Sequence, residues 1–383
     1  MVKRRIWIAL AILVGILFLF SANALATELQ IKGKSCVLMD AASGQILYEQ
    51  NKDAKVYPAS VTKIMTLVLA LEALDNGQIK LDDNVTTSPE AASMGGSQVY
   101  LYAGEVRTVN EMLIAISVGS GNDASVAMGE YVSGSLPAFV DSMNAKAKEL
   151  GMKNTHFANP HGLHDADHYT TADDLAILAY YAIRVPKFLD YTSIYEYEFR
   201  PEPKLLTLWN TNRLLKWYDG CDGLKTGYTT ESGRCLVATA KRESLRLITV
   251  VMGVPEAKGH FTESMKLMNF GFNTYTFKSI FAKDAVVGQI KVGKGAQDWV
   301  NIVCKDEVGV LQKKGDKAEI TTTIDAETFR NAPIAAGDSA GELIVYQDGK
   351  EINRVGLVTD ADVGRGGFIK TFVKLIKHIV NAA

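Results

Sequence analysis

Ser60-Val61-Thr62-Lys63 sets a hydroxyl and an amine three residues apart, and Ser60 is the one serine of the chain with lysine at that spacing. On a helix, that spacing puts both side chains on one side of the first turn. A serine hydroxyl is a weak nucleophile until a base takes its proton. A lysine whose charge is destabilised by burial, by nearby cations or by the positive end of a helix is such a base. The same serine also fits an ordinary helix cap. A second set, Ser120-Gly121-Asn122, follows the apolar run Met112–Val118. Ser-x-Asn recurs at Ser21 and Ser142, so the pattern alone says little. A third set, Lys225-Thr226-Gly227, occurs once, inside the strand-like run Leu224–Tyr228. Lysine and threonine on a strand edge can hold a carboxylate, and glycine admits close backbone approach.

Ser-x-x-Lys, Ser-x-Asn and Lys-Thr-Gly, in this order and in these contexts, form the signature of penicillin-recognising serine enzymes. The sequence resembles the low-molecular-mass penicillin-binding proteins, the D-alanyl-D-alanine carboxypeptidases of bacterial cell walls. Ser43–Tyr48, Pro58–Thr66, Asn159–Leu163 and Asp222–Thr229 all look like segments of that family. The resemblance implies Ser60 as nucleophile, Lys63 as general base and Ser120 as proton relay. It implies Asn122 on the substrate amide, Lys225 and Thr226 on the terminal carboxylate, with Gly227 in the same strand. The backbone N–H groups of Ser60 and Tyr228 then form the oxyanion hole. The implied reaction is removal of the terminal D-alanine from peptidoglycan pentapeptide stems, with β-lactams as covalent inhibitors and no cofactor. A β-lactamase or a transpeptidase of the same fold is the alternative. The extra C-terminal domain and the C-terminal anchor argue against the β-lactamase.

The elements that must position these residues follow from periodicity. Residues 35–49 alternate and turn at Ser43-Gly44, as a hairpin does. Ile64, Leu67, Val68, Leu71 and Leu74 share one helical face, the other face is largely apolar too, and Asn76-Gly77 ends the helix. That predicts a central, buried helix. Residues 109–132, 137–150 and Thr171–Ile183 read as further helices. Gly223–Tyr228, Arg234–Ala240 and Leu245–Gly253 read as antiparallel neighbours, and a helix with Phe261, Met265, Met268 and Phe272 follows. The fold class is α/β (α+β). A β-lactamase/transpeptidase-like catalytic domain with an antiparallel sheet and helices is expected over 27–276. From 278 to 363 short, turn-punctuated apolar runs and the Asp348-Gly349 hairpin signal predict a small all-β domain.

The 383 residues carry 41 basic and 43 acidic side chains, a formal charge of −2. Neither a global basic excess nor a basic tract is present, so nucleic acid is not an expected partner. Lys3-Arg4-Arg5, the uncharged run Ile6–Phe20 and Ala24-Leu25-Ala26 read as an export signal over 1–26. The protein is then expected at the extracytoplasmic face of the cytoplasmic membrane. In the last unit, 366–383, Phe368, Phe372, Leu375, Ile376 and Ile379 line one helical face and Lys370, Lys374, Lys377 and His378 the other. A basic amphipathic helix of this kind lies on membrane surfaces.

Four further expectations attach to single residues. His161, His164 and His168 sit in one loop with Asp165 and Asp167; the first two do not have the spacing of a helical His-x-x-x-His pair, the resemblance covers this loop without a metal, and no metal is expected. Cys221 and Cys235 flank the Lys-Thr-Gly strand, where oxidising surroundings permit a disulfide as readily as free thiols. Trp209, Trp217, Tyr218 and Tyr228 read as core or strand filler. His260 stands where the family often carries an arginine near the carboxylate pocket. A titrating histidine there predicts weaker substrate binding above about pH 7.

Overall fold

The computed structural model describes residues 29–201 and 205–367. The expected export signal, and all but the first two residues of the expected C-terminal helix, lie outside them. Everything below belongs to the unit Lys32–Ala383. Among the described residues no helix is long and apolar enough to cross a membrane.

β1 (Ser35–Asp40) and β2 (Ile46–Gln50) form the expected hairpin. β3 (Cys221–Thr229), β4 (Gly233–Arg242) and β5 (Leu245–Val254) complete an antiparallel sheet in the order β2-β1-β5-β4-β3. The chain's two ends of this domain therefore meet at the β1–β5 pair, where Val37 faces Val250. β5 reads as a continuous apolar run because it is covered on both faces. Ile248, Val250 and Met252 join the helical core, while Leu247 packs with Leu38 where Gly271 lacks a side chain. β3, which carries Lys-Thr-Gly, is left at the sheet edge.

The helical layer comprises α1 (Lys63–Asp75), α2 (Val109–Ser117), α3 (Asn122–Ser133), α4 (Leu136–Leu150) and α5 (Ala172–Ala182), with α6 (Gly259–Thr274) beside Leu38 and Leu247. Polar caps start several of them: Thr108 and Glu111 form a reciprocal capping box, and Ser135 and Thr171 cap α4 and α5. α1 is the central helix the pattern predicts. Ile64, Met65, Leu67, Val68 and Leu71 are buried within it, each such side chain contributing about 1.5–3 kcal/mol of hydrophobic stabilisation.

The helix predicted over 109–132 is broken. Residues 118–121 separate α2 from α3, with Ser120 at φ +57° between two glycines. The tertiary structure closes in there: a Cβ on Gly119 would stand 2.9 Å from the Val99 side chain, and one on Gly121 2.7 Å from Asp123 Oδ1. The buried Asp123 carboxylate accepts the N–H groups of Val99 and Leu101, which pins the neighbouring loop onto the start of α3. Local apolar periodicity runs through the break and does not reveal it.

The tail is all β. β6 (Tyr275–Phe281) pairs with β9 (Val308–Lys313); β7 (Val286–Gly293), β8 (Trp299–Cys304), β10 (Ile320–Ala326), β11 (Phe329–Asn331), β12 (Ser339–Gln347) and β13 (Lys350–Thr359) form a six-stranded sheet in the order β10-β12-β13-β8-β7-β11. Asp348 and Gly349 turn β12 into β13 with φ of 50° and 76°, as the hairpin signal predicts. Ile290, Val300, Ile302, Leu343 and Leu357 centre its core.

Candidate active site

Ser60 sits in a 3-10 turn, Ala59–Thr62, immediately before α1. The preceding Ala59 has φ +48°, a left-handed conformation that a non-glycine residue adopts only when its surroundings enforce it. The enforcing contacts are on the page of the sequence as glycines. Gly162 lies against the Ala59 carbonyl, where any side chain would collide, and a Cβ on Gly227 would stand 2.9 Å from Pro58 O and 3.1 Å from Ser60 N. The third residue of Lys-Thr-Gly is thus glycine because the edge strand touches the turn that carries Ser60.

A buried hydrogen-bond chain holds the same turn from below. Thr62 Oγ1 donates to Ala59 O at 2.8 Å, and His168 Nε2 is 2.7 Å from that hydroxyl. His168 Nδ1 accepts the Ala158 N–H at 2.9 Å, so the ring proton is on Nε2 and points at Thr62. Burial, above all, pushes the His168 pKa down to about 4, which keeps the ring neutral. His161 is likewise driven to about 3 by burial, then by Lys63. The His161 carbonyl, rather than its ring, faces Lys63 Nζ.

Lys63 is fully buried. Its Nζ lies 3.1 Å from Ser60 Oγ, 2.7 Å from Asn122 Oδ1 and 2.7 Å from His161 O. Burial holds its pKa well below the ordinary lysine value; Lys225 pushes the same way and Asp123 opposes. Asn122, whose other amide atom donates to Gly95 O at 2.7 Å, starts α3 immediately after the break. Ser120 lines the cleft, but among the described residues no hydrogen bond joins its hydroxyl to Ser60 or Lys63.

The opposite wall is β3. Lys225 is almost wholly buried, and burial alone lowers its pKa to about 7. Thr226 Oγ1 meets Thr211 Oγ1 at 2.6 Å. Between the walls opens a cleft of about 650 Å³ that Ser60, Ser120, Thr226, Gly227 and Tyr228 all line. The three motifs, about 60 and 100 residues apart in the chain, meet here.

Arg213, Arg234, Lys258 and Trp217 also line the cleft; sequence reasoning missed the three cations and read Trp217 as filler. Arg234 stands opposite Tyr228 in the β3–β4 register, its guanidinium 4.8 Å above the tyrosine ring. The strand pairing was the signal that would have found it; nothing comparable marks Arg213, whose Nη1 donates to Tyr195 OH at 3.0 Å.

Two expectations are corrected, on His260 and on the aromatic residues, and the open choice at Cys221 and Cys235 is resolved. His260 lines the cleft, yet burial first, and Arg234 second, lower its pKa to about 4. It is neutral throughout the neutral range, so it does not impose the pH dependence expected of it. Cys221 faces Ala240 and Cys235 faces Gly227 across the ladder, so the two thiols do not meet; both are free, and burial raises each to about 11. Tyr218 is buried as filler, but Trp209, Trp217 and Tyr228 are about half exposed, the last two on the cleft.

A serine beside a buried amine, facing a Lys-Thr-Gly edge strand, is the arrangement of active-site-serine enzymes of the penicillin-recognising class. The chain belongs to the D-alanyl-D-alanine carboxypeptidase family, which it matches over residues 22–256, followed by a match to the C-terminal domain of penicillin-binding protein 5 over 275–365. It is 42% identical to the D-alanyl-D-alanine carboxypeptidase DacF of Bacillus subtilis over 95% of this chain and 96% of that one. Its fold is similar to penicillin-binding protein 5 of Haemophilus influenzae (TM-score 0.70, 34% identity, 89% of this chain and 100% of that one). It is also similar to penicillin-binding protein D2 of Listeria monocytogenes in its ampicillin-bound form (TM-score 0.58, 32% identity, 64% and 99%). The protein is a serine-type D-Ala-D-Ala carboxypeptidase.

Proposed function

We propose that Ser60 attacks the carbonyl of the penultimate D-alanine of a peptidoglycan pentapeptide while Lys63 takes the hydroxyl proton. The observation that carries this is the set of partners around Lys63 Nζ. A neutral amine has two N–H groups and one lone pair. The Asn122 and His161 carbonyl oxygens can only accept, so they take both N–H groups and leave the lone pair for Ser60. The backbone N–H groups of Ser60 and Tyr228 hold the oxyanion of the tetrahedral intermediate. Its collapse breaks the C–N bond, and the leaving D-alanine amine takes up a proton, with Ser120 at the cleft wall as relay. Water then hydrolyses the acyl-enzyme.

Asn122 holds the substrate amide through its amide nitrogen. Lys225 and Thr226 bind the terminal carboxylate, with Arg213 and Arg234 adding permanent positive charge to the same cleft. A β-lactam presents a strained amide and a carboxylate to these groups, and acylates Ser60 without a leaving fragment that departs. The family match across both domains supports carboxypeptidase over β-lactamase. The basic run and apolar core at the N-terminus support export, and the basic amphipathic pattern of 366–383 supports attachment to the outer face of the cytoplasmic membrane.

The test is D-alanine release from a pentapeptide ending in D-Ala-D-Ala. The parent enzyme releases it and acquires one covalent penicillin; Ser60→Ala does neither. Release undiminished in Ser60→Ala would overturn the assignment.

A further inference from the structure

We infer that the Trp299–Lys291–Phe329 end of the six-stranded sheet rests on a membrane surface bearing anionic headgroups, as a second contact beside the C-terminal segment. This rests on the membrane attachment proposed above and extends it to a surface of the folded domain.

The pleat puts the three side chains together. Lys291 on β7 faces Trp299 on β8 and Phe329 on β11, and directly paired residues project from the same face of a sheet. The other face is the domain core, with Ile290, Val292, Val300 and Ile302 buried. Trp299 is 52% and Phe329 54% exposed, so two large aromatics flank one lysine on the solvent side, one on each neighbouring strand. Gly293 makes the arrangement possible: the Phe329 ring lies where a Gly293 side chain would be, with its Cζ 2.6 Å from that Cβ position. Exposed aromatics grouped on one face are a recognition surface more often than chance exposure. Aromatic rings flanked by cations are what interfacial membrane contacts use.

Where the last described residues lie selects the occupant. Gly295 bridges Arg365, Ala296 N donates to Gly364 O at 2.8 Å, and Gly366 N donates to Lys294 O at 2.8 Å. The last described residues, Gly364 to Gly366, therefore lie against the β7–β8 connection. Lys294 and Arg365 are exposed there, as is Lys291. The acidic groups near this end include Asp298, Asp362, Glu327, Asp338 and Asp360; the Ala336 N–H holds Asp362 at 2.8 Å, Arg330 holds Glu327 at 2.7 Å and Asp338 at 3.6 Å, and Asn301 Nδ2 donates to Asp360 at 2.8 Å. The segment after Gly367 is itself basic, with Lys370, Lys374 and Lys377. Like charge disfavours that segment as the cover of the aromatic patch, whereas an anionic lipid surface complements both.

The experiment measures partition of the processed protein onto phosphatidylcholine vesicles with and without phosphatidylglycerol. Trp299→Ala/Phe329→Ala should weaken binding to the anionic vesicles about tenfold. Lys291→Glu/Lys294→Glu should weaken it by at least as much, and only when phosphatidylglycerol is present. Both variants should melt as the parent does and release D-alanine from a soluble pentapeptide at the parent rate. A chain ending at Gly367 reports the anchor separately. If that truncation loses binding while both double variants bind like the parent, the anchor stands and this inference is overturned. If the parent itself ignores both vesicle types, the attachment reading and this inference fall together. Stronger binding by the aromatic variant would mean that the C-terminal segment covers the patch, which also overturns it.

Discussion

Two buried lysines face each other across one cleft and differ in what surrounds them. Lys63 is fully buried and has three oxygen partners, two of them carbonyls that accept both N–H groups of a neutral amine. Lys225 is almost as buried, but among the described residues its Nζ hydrogen-bonds the Thr226 carbonyl alone, at 3.2 Å. Burial depresses both, and the charge of Lys225 depresses Lys63 further. The first is held as a base, and the second, at about 7, is poised to gain a proton when an anion arrives. Residue type does not assign these roles; the partners do.

The largest way to break this comparison is Lys63→Met, which keeps the bulk and removes the amine. Penicillin acylation of Ser60 should fall by about a thousandfold or more, as loss of both the base and its hydrogen bonds requires. A loss below tenfold in stopped-flow acylation would show that another group takes the proton.

Lys225→Ala should act on binding instead. It removes a charged hydrogen-bond partner of the carboxylate, so kcat/KM should fall about 10- to 100-fold, mainly through KM. In the parent, KM should rise as pH passes upward through about 7, because Lys225 without a bound anion loses its proton there. Lys225→Ala should abolish that rise. His260→Gln should leave it in place, since His260 is already neutral across this range. Steady-state kinetics from about pH 6 to 9 on the three proteins separates the two sources.

A smaller effect is expected at His168, which acts through Thr62 on the Ala59 turn. His168→Ala should cost about 1 kcal/mol of stability and lower kcat about tenfold with KM little changed. His168→Gln, which keeps an N–H donor, should recover part of kcat. Equal losses in melting temperature with kcat unaffected would reduce His168 to a structural role.

The legibility of the molecule follows the same division between identity and environment. Ser60, Lys63 and Lys225-Thr226-Gly227 were readable because their spacing is local and their contexts, a helix start and an edge strand, show in the periodicity. The central helix and the hairpin at Asp348-Gly349 were readable for the same reason. The break at Ser120 was not, because Val99 and the Asp123 carboxylate that shape it belong to tertiary structure. Arg213 and Arg234 reach the cleft through the course of the chain and the ladder register, which apolar patterns do not encode. Cys221 and Cys235 were open between a disulfide and free thiols because closeness in sequence does not give the register that sets them opposite Ala240 and Gly227. The exposed tryptophans misled because aromatic content alone does not separate a core from a cleft wall.

The most direct test of the account is a lysine side-chain NMR titration of the ligand-free enzyme, with signals assigned by Lys63→Met and Lys225→Ala. The account predicts that the signal lost in Lys63→Met is already neutral at pH 7, and that the one lost in Lys225→Ala titrates near 7. Two lysines that both keep their protons to pH 9 would contradict it.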